Sequence, residues 1–214
     1  MSDSDRTRHL VERNRGQAHS ETDAFTEDRY RQFGRHLPGD EIVVVDVGCN
    51  TGRGGRILKQ ARPRSSIWGL DCVPERVEAL DPAVYARGIC AFTQELPFDD
   101  RSVDAIVAGE FLEHLPPDQV DPTLCEFFRI LKLKGVLLLT TPNPYSIWKW
   151  KRGDSVVRDP AHLTQHYPSV LRHRLRAIGF SGVRIRGSGK TSRRLGEFAP
   201  LFLYGSYLVR AVKW

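Results

Sequence analysis

The stretch Ile42–Gly55, reading IVVVDVGCNTGRGG, decides the fold. Ile42, Val43, Val44 and Val45 are all apolar and β-branched, which suits a strand buried on both faces, as strands of a parallel sheet are. Asp46 ends the run, and Gly48, Asn50, Gly52, Gly54 and Gly55 follow it closely. Glycine accepts positive φ and lets a ligand approach the backbone, and asparagine is the next best residue there. Arg53–Gln60 can continue as a helix whose N-terminus points back at the loop. Strand, glycine turn and helix N-terminus together make a nucleotide-binding corner.

A second segment completes the pattern. Ser66–Leu70 is the next strand candidate and it ends in Asp71, 19 positions after Gly52. Dinucleotide folds place there a carboxylate that accepts from the ribose hydroxyls. Asp46 argues against an ordinary dinucleotide or ATP. A pyrophosphate would be repelled by a carboxylate just before the glycines, whereas a ligand carrying an ammonium group would not. GSGKTS (Gly187–Ser192) is too short for a P-loop and follows no first strand.

With these residues in place, the sequence resembles the class I S-adenosylmethionine (SAM) methyltransferases, in the group with a DxGCGxG first motif. Three further segments resemble that group in order: GLDCVPERV (Gly69–Val77), ELPFDDRSVDAIVAGEFLEHL (Glu95–Leu115) and LKLKGVLLLTTPN (Leu131–Asn143). The resemblance covers about Val43 to Lys213. It implies an α/β, Rossmann-like fold: a seven-stranded, mostly parallel sheet with an antiparallel last strand and helices on both faces. It also implies SAM as cofactor, with Asp46, Gly48, Asn50, Gly52, Asp71, Cys72, Phe92, Thr93 and Glu110 binding it. Two positions depart from the group. Phe92 stands where an Asp usually meets the adenine amino group, so adenine recognition would rest on the Phe92–Thr93 backbone and on stacking. Asn50 replaces the middle glycine, and it too reaches the left-handed region.

The 214 residues, 40% of them hydrophobic, suit one domain with a real core. No run approaches the ~20 apolar residues of a membrane span, and MSDSDRTRHLVERNRGQ has no apolar signal-peptide region. Cys49, Cys72, Cys90 and Cys125 form no C-x-x-C, so a reduced, cytoplasmic protein is expected. The net charge of +6 hides an asymmetry. Residues 1–128 carry 15 Lys/Arg against 23 Asp/Glu (−8), and residues 129–214 carry 17 against 3 (+14). The basic half points to an anionic substrate, nucleic acid or an anionic membrane surface, or is simply a solvated face.

Along the chain, residues 1–22 are expected to be a mobile tail, or a lid that orders over ligand, with a short helix near Thr7–Arg15. Residues 23–214 form the domain, with an acceptor-cap insertion at about 144–167. Thr22 or Asp23 can cap a helix over Ala24–His36, whose Phe25, Tyr30, Phe33 and Leu37 share one face. Later helices are expected at Pro74–Leu80, Asp118–Leu131 and Pro168–Ile178, the last ended by Gly179. Later strands are expected at Val84–Ile89, Val103–Ala108, Gly135–Thr141, Ser181–Gly187 and Ser206–Lys213. Ser188–Arg194 reads as a mobile basic loop and Phe198–Leu203 as a short turn or helix.

Methyl transfer from a sulfonium is an in-line displacement, so positioning does most of the work. An oxygen acceptor also benefits from a base near neutral pKa. His114 is the first candidate, His162 the second, and His166 a third. Glu110, Glu113 and His114 fall at i, i+3 and i+4, which on a helix would share a face. Read as a metal site, Glu110, Glu113, His114 and His162 suit Mg²⁺, Mn²⁺ or Zn²⁺. Their spacing is similar to that of metal-dependent small-RNA 2′-O-methyltransferases and some ubiquinone-pathway O-methyltransferases. The plainer reading has no metal and local packing of the Glu-His pair. In YSIWKWKRGD, Tyr145 and Trp148 are the candidates for acceptor contact, while the aromatic and basic residues together could meet a nucleobase or an anionic membrane, or pack as core. The expected activity is O-methylation of a small or lipid-linked, anionic or amphipathic acceptor. An RNA methyltransferase and a non-catalytic SAM-binding protein are the alternatives.

Overall fold

The computed structural model describes residues 11–16 and 25–214. The remaining N-terminal residues lie outside it, and with them the Thr22 or Asp23 cap and most of the expected tail. The first complete helix, α1 (Thr26–His36), has no side-chain cap at Phe25. Its acidic first turn (Glu27, Asp28) and basic last turn (Arg35, His36) match the helix dipole.

Strands β1 (Val43–Val47), β2 (Ser66–Asp71), β3 (Tyr85–Cys90), β4 (Val103–Gly109), β5 (Leu131–Pro142), β6 (Phe180–Ser188) and β7 (Ser206–Lys213) form one seven-stranded sheet of order β3-β2-β1-β4-β5-β7-β6. The pairs joining β1 through β5 are parallel, and β7 is antiparallel to both its neighbours. The β-branched run puts β1 inside the sheet, between β2 and β4, where both faces are covered. Successive side chains then enter opposite cores. Val44 joins Tyr30, Phe33, Leu58 and Ile67 beneath α1 and α2 (Arg53–Ala61). Val45 and Val47 join Leu124 and Phe127 of α4 (Pro117–Ile130) and Leu171 and Leu175 of α6 (Pro168–Ile178). Helix α3 (Pro74–Glu78) follows β2. The expected Rossmann-like architecture is present.

Boundaries move where side chains find unforeseen partners. β5 starts four residues before Gly135, because Leu131 pairs with Val103 and the Lys132 ammonium binds Asp104 at 2.9 Å. The register then shifts, with Lys134 at φ 65°. The expected basic loop contains a short helix, α7 (Ser192–Leu195), and Leu201–Leu203 forms a 3₁₀ turn. The expected cap insertion contains α5 (Ile147–Lys151) and a 3₁₀ turn at Val156–Arg158.

Candidate functional site

The carboxyl ends of β1, β2 and β4 open onto a cavity of about 410 Å³, the place where open parallel sheets bind ligands. Its floor is the glycine loop. Gly48, Asn50 and Gly52 alternate through the left-handed region, with φ of 67°, 49° and 83°. The Asn50 amide donates to Asp71 Oδ2 at 3.0 Å, and the Val73 amide donates to Asp71 Oδ1 at 3.0 Å. Asp71 is thus aimed into the cavity by two backbone donors and is flanked by Arg76, 3.6 Å away. Gly48, Asn50, Asp71, Cys72, Phe92, Thr93 and Glu110 all line the cavity.

Asp46 and Gly52 do not line it. Asp46 is fully buried behind the loop, where its two oxygens accept from the Tyr30 and Tyr85 hydroxyls, each at 2.7 Å. Burial pushes its carboxyl up to about 6, against the pull of those two hydrogen bonds. Asp46, expected among the cofactor-binding residues, is thus buried beneath the loop and off the cavity lining. Gly54 and Gly55 serve the same arrangement. A Cβ on Gly54 would stand 2.1 Å from the Tyr30 ring, and one on Gly55 2.1 Å from the Tyr85 hydroxyl. Glycine is needed there so that two rings can reach a buried carboxylate.

The far wall carries charge. Glu110 sits at φ 51° and receives Ser206 Oγ on Oε2 at 3.3 Å. Its Oε1 is buried without a hydrogen-bond partner and lies 3.7 Å from Arg29 Nε. Arg29 is a cavity residue that the sequence did not single out, and the same holds for Asn14, Arg76 and Gln94. Asn14 belongs to residues 11–16, where residues 11–15 are helical. Arg76 donates to the Asn14 carbonyl at 2.6 Å and Arg13 to the Pro160 carbonyl at 2.8 Å. This described part of the N-terminus closes over the cavity mouth.

Glu110, Glu113 and His114 do not share a helix face. Glu110 precedes a 3₁₀ turn over Leu112–His114, and its positive φ turns it away from the other two. Glu113 is buried, with Thr141 Oγ1 donating to Oε2 at 3.0 Å and Oε1 unpartnered. Burial and the nearby Glu110 raise its pKa. His114 lines the cavity and packs edge-on against His162, ring centroids 5.0 Å apart. Nδ1 of His114 faces the Ala161 carbonyl at 3.0 Å and Nδ1 of His162 the Val156 carbonyl at 2.8 Å. A carbonyl only accepts, so both rings carry a proton on Nδ1; Nε2 of His162 then lies 3.9 Å from Asp159 Oδ2. Burial lowers His114 to about 4. Glu113, His114 and His162 each offer one ligand atom within 4.8 Å of the others, so three of the four residues read as a metal site converge and Glu110 does not.

His166 is turned away, bonded to Thr164 Oγ1 at 3.0 Å. Tyr145 and Trp148 are largely exposed and outside the cavity lining, with Tyr145 packed on Tyr167. Adjacency in sequence to the strand end did not carry them into the site, because Asn143 turns the chain outward. No helix among the described residues is long and apolar enough to cross a membrane.

Residues 45–139 match the family model described as a methyltransferase domain. A Mycolicibacterium smegmatis protein named probable S-adenosylmethionine-dependent methyltransferase is 33% identical over 155 residues, which are 71% of this chain and 56% of that protein. The malonyl-[acyl-carrier protein] O-methyltransferase of Laribacter hongkongensis is 25% identical over 143 residues, 61% of this chain and 46% of its own. The chain thus spans about half the length of the curated relatives it matches. Among solved structures, a SAM-dependent methyltransferase from Archaeoglobus fulgidus superposes with a TM-score of 0.70 at 19% identity, covering 91% of this chain and 97% of that one.

Proposed function

We propose, for a chain that carries a class I SAM-dependent methyltransferase domain, that it transfers the SAM methyl group to an oxygen of a small or lipid-linked acceptor beside His114. The observation that carries this reading is one cavity holding Asp71 and the glycine loop at one side and Arg29, Glu110 and His114 at the other. Asp71 accepts from the ribose hydroxyls, and the Phe92–Thr93 wall packs on the adenine. Glu110 Oε1, buried with only the Arg29 guanidinium beside it, offers an acceptor to the ammonium group of SAM, and Arg29 meets its carboxylate.

Bound there, SAM would supply a methyl group for in-line displacement by the acceptor oxygen, with the C–S electron pair leaving on sulfur. The acceptor proton passes to His114 Nε2. An imidazole lowered to about 4 is a weak base for a resting hydroxyl. It is ample for the far more acidic protonated ether that forms as the methyl arrives. An oxygen acceptor is consistent with the O-methyltransferase named among the relatives.

A second reading is favoured by the unpartnered Glu113 oxygen. Glu113, His114 and His162, whose ligand atoms lie within 4.8 Å of one another, would suit a divalent metal such as Zn²⁺ or Mn²⁺, with both imidazoles oriented by backbone carbonyls. A metal there would polarise the acceptor oxygen. Elemental analysis of purified protein, and its thermal midpoint with and without EDTA, separate the two readings.

The proposal is tested by calorimetric titration with SAM and by transfer of labelled methyl into cell extract split into organic, small aqueous and nucleic-acid fractions. Asp71→Ala is expected to abolish SAM binding in a folded protein. Label confined to nucleic acid would replace the small-acceptor reading with an RNA one, and the absence of transfer in every fraction would favour a SAM-binding protein without catalysis.

A further inference from the structure

We propose that the surface formed by α5, α7 and the Leu201–Leu203 turn docks the protein on an anionic phospholipid bilayer. It rests on that surface alone and stands apart from the choice of acceptor. Helix α5 reads Ile-Trp-Lys-Trp-Lys, and none of its five residues is buried. Trp150 is 78% exposed, and Trp148, Leu195 and Phe202 are each about half exposed. Large apolar side chains gathered in this way mark an interaction surface, whereas scattered ones do not.

One carbonyl joins the three segments. Leu203 O accepts from Trp148 Nε1 and from Thr191 Oγ1, each at 3.1 Å, which ties α5 and the residue before α7 to the Leu201–Leu203 turn. Cations surround them. Lys149 and Lys151 lie on α5 and Arg194 on α7, with Lys190 just before it, and Lys151 stands 5.7 Å over the Trp148 ring. The surface also lies at the functional edge of the sheet. Ser206 pairs with Pro142 and with Ser188, at the carboxyl ends of β5 and β6, and its hydroxyl touches Glu110 of the cavity. A bilayer docked here would meet the same edge into which the cavity opens.

The side-chain geometry favours a bilayer over RNA. Trp148 and Trp150 are two residues apart on a helix, so they leave its axis in nearly opposite directions. Such rings cannot stack successive bases as a single-strand platform does. Trp148 is held to Leu203 O, which leaves the exposed Trp150 indole to enter a fluid interface at headgroup depth while lysines reach the phosphates. Leu195 and Phe202 add apolar area of no use to a phosphodiester chain.

The test is co-sedimentation of the full chain with phosphatidylcholine vesicles, with and without phosphatidylglycerol, at low and high salt. Binding is expected to the anionic vesicles only, weakened by salt. It should fall about fivefold for each basic side chain removed in Lys149→Ala, Lys151→Ala and Arg194→Ala. Trp150→Ala should weaken binding further, while SAM titration shows that each variant keeps its folded site. Failure to bind anionic vesicles, or binding that these substitutions leave unchanged, would overturn the proposal. So would binding of single-stranded RNA, but not vesicles, that the same variants lose.

Discussion

The Tyr85 hydroxyl lies 2.7 Å from Asp46 Oδ2 and 3.0 Å from the Gly55 amide nitrogen. Tyr85 belongs to β3, two strands away from Asp46 on β1, and its ring crosses Gly69 of β2 to get there. The hydroxyl therefore locks the glycine loop to the sheet from below, donating to the carboxylate and accepting from the first turn of α2.

Tyr85→Phe leaves a buried carboxylate oxygen and a buried amide short of a partner. The expected cost is about 1–3 kcal/mol in urea unfolding. Gly55→Ala should cost a similar amount by overpacking, since its Cβ would stand 2.1 Å from the hydroxyl. A change of only a few tenths in both variants would mean that the ring moves freely.

The carboxyl of Asp46 is pushed up to about 6 by burial, so in the fold it holds its proton to higher pH than in the unfolded chain. Its contribution is complete below the unfolded value near 4 and is lost as pH rises through 6. His114, lowered to about 4 by burial, acts oppositely and adds stability as pH rises from 4 to 6.5. The two largely cancel in the wild type. Asp46→Asn should therefore gain, relative to wild type, about 2 kcal/mol of unfolding free energy between pH 4.5 and pH 6.5. Parallel stability–pH curves would remove the basis for the shift.

Arg29 and Glu110 lie side by side on one wall of the cavity, 3.7 Å apart. If they hold the carboxylate and the ammonium of SAM, Arg29→Ala and Glu110→Gln should each weaken SAM binding by about tenfold or more, the scale of a lost charge-assisted hydrogen bond. The neutral adenosine end should bind these variants as it binds wild type. Competition with 5′-methylthioadenosine, which lacks both charged groups, reads that difference directly.

Asn143 is buried, and its amide group donates to Leu201 O at 2.8 Å and Tyr204 O at 3.0 Å while accepting from the Tyr145 amide at 3.1 Å. Asn143→Ala should destabilise the protein by about 2–4 kcal/mol, because three backbone groups lose their partner at once. It should also raise proteolysis within 198–205 before the rest of the chain is cut. Uniform protection of that segment would show the bonds to be redundant.

The sequence by itself determined the strand order of events: a β-branched run, a glycine turn, a second strand ending in Asp71, and the later blocks through Asn143. Those signals are local, resting on backbone propensity and a two-residue period, and they placed Gly48, Asn50, Asp71, Cys72, Phe92, Thr93 and Glu110 on the cavity. Only the tertiary structure decided what Asp46 does, because its partners come from α1 and β3, 16 and 39 residues away. It also separated Glu110 from Glu113, since one left-handed residue before a 3₁₀ turn breaks the helical spacing that linear counting assumes. Arg29 and Asn14 entered the cavity from a helix and a terminus that carry no motif. Side chains converge through space, and linear spacing predicts that only while the backbone between them keeps one regular period.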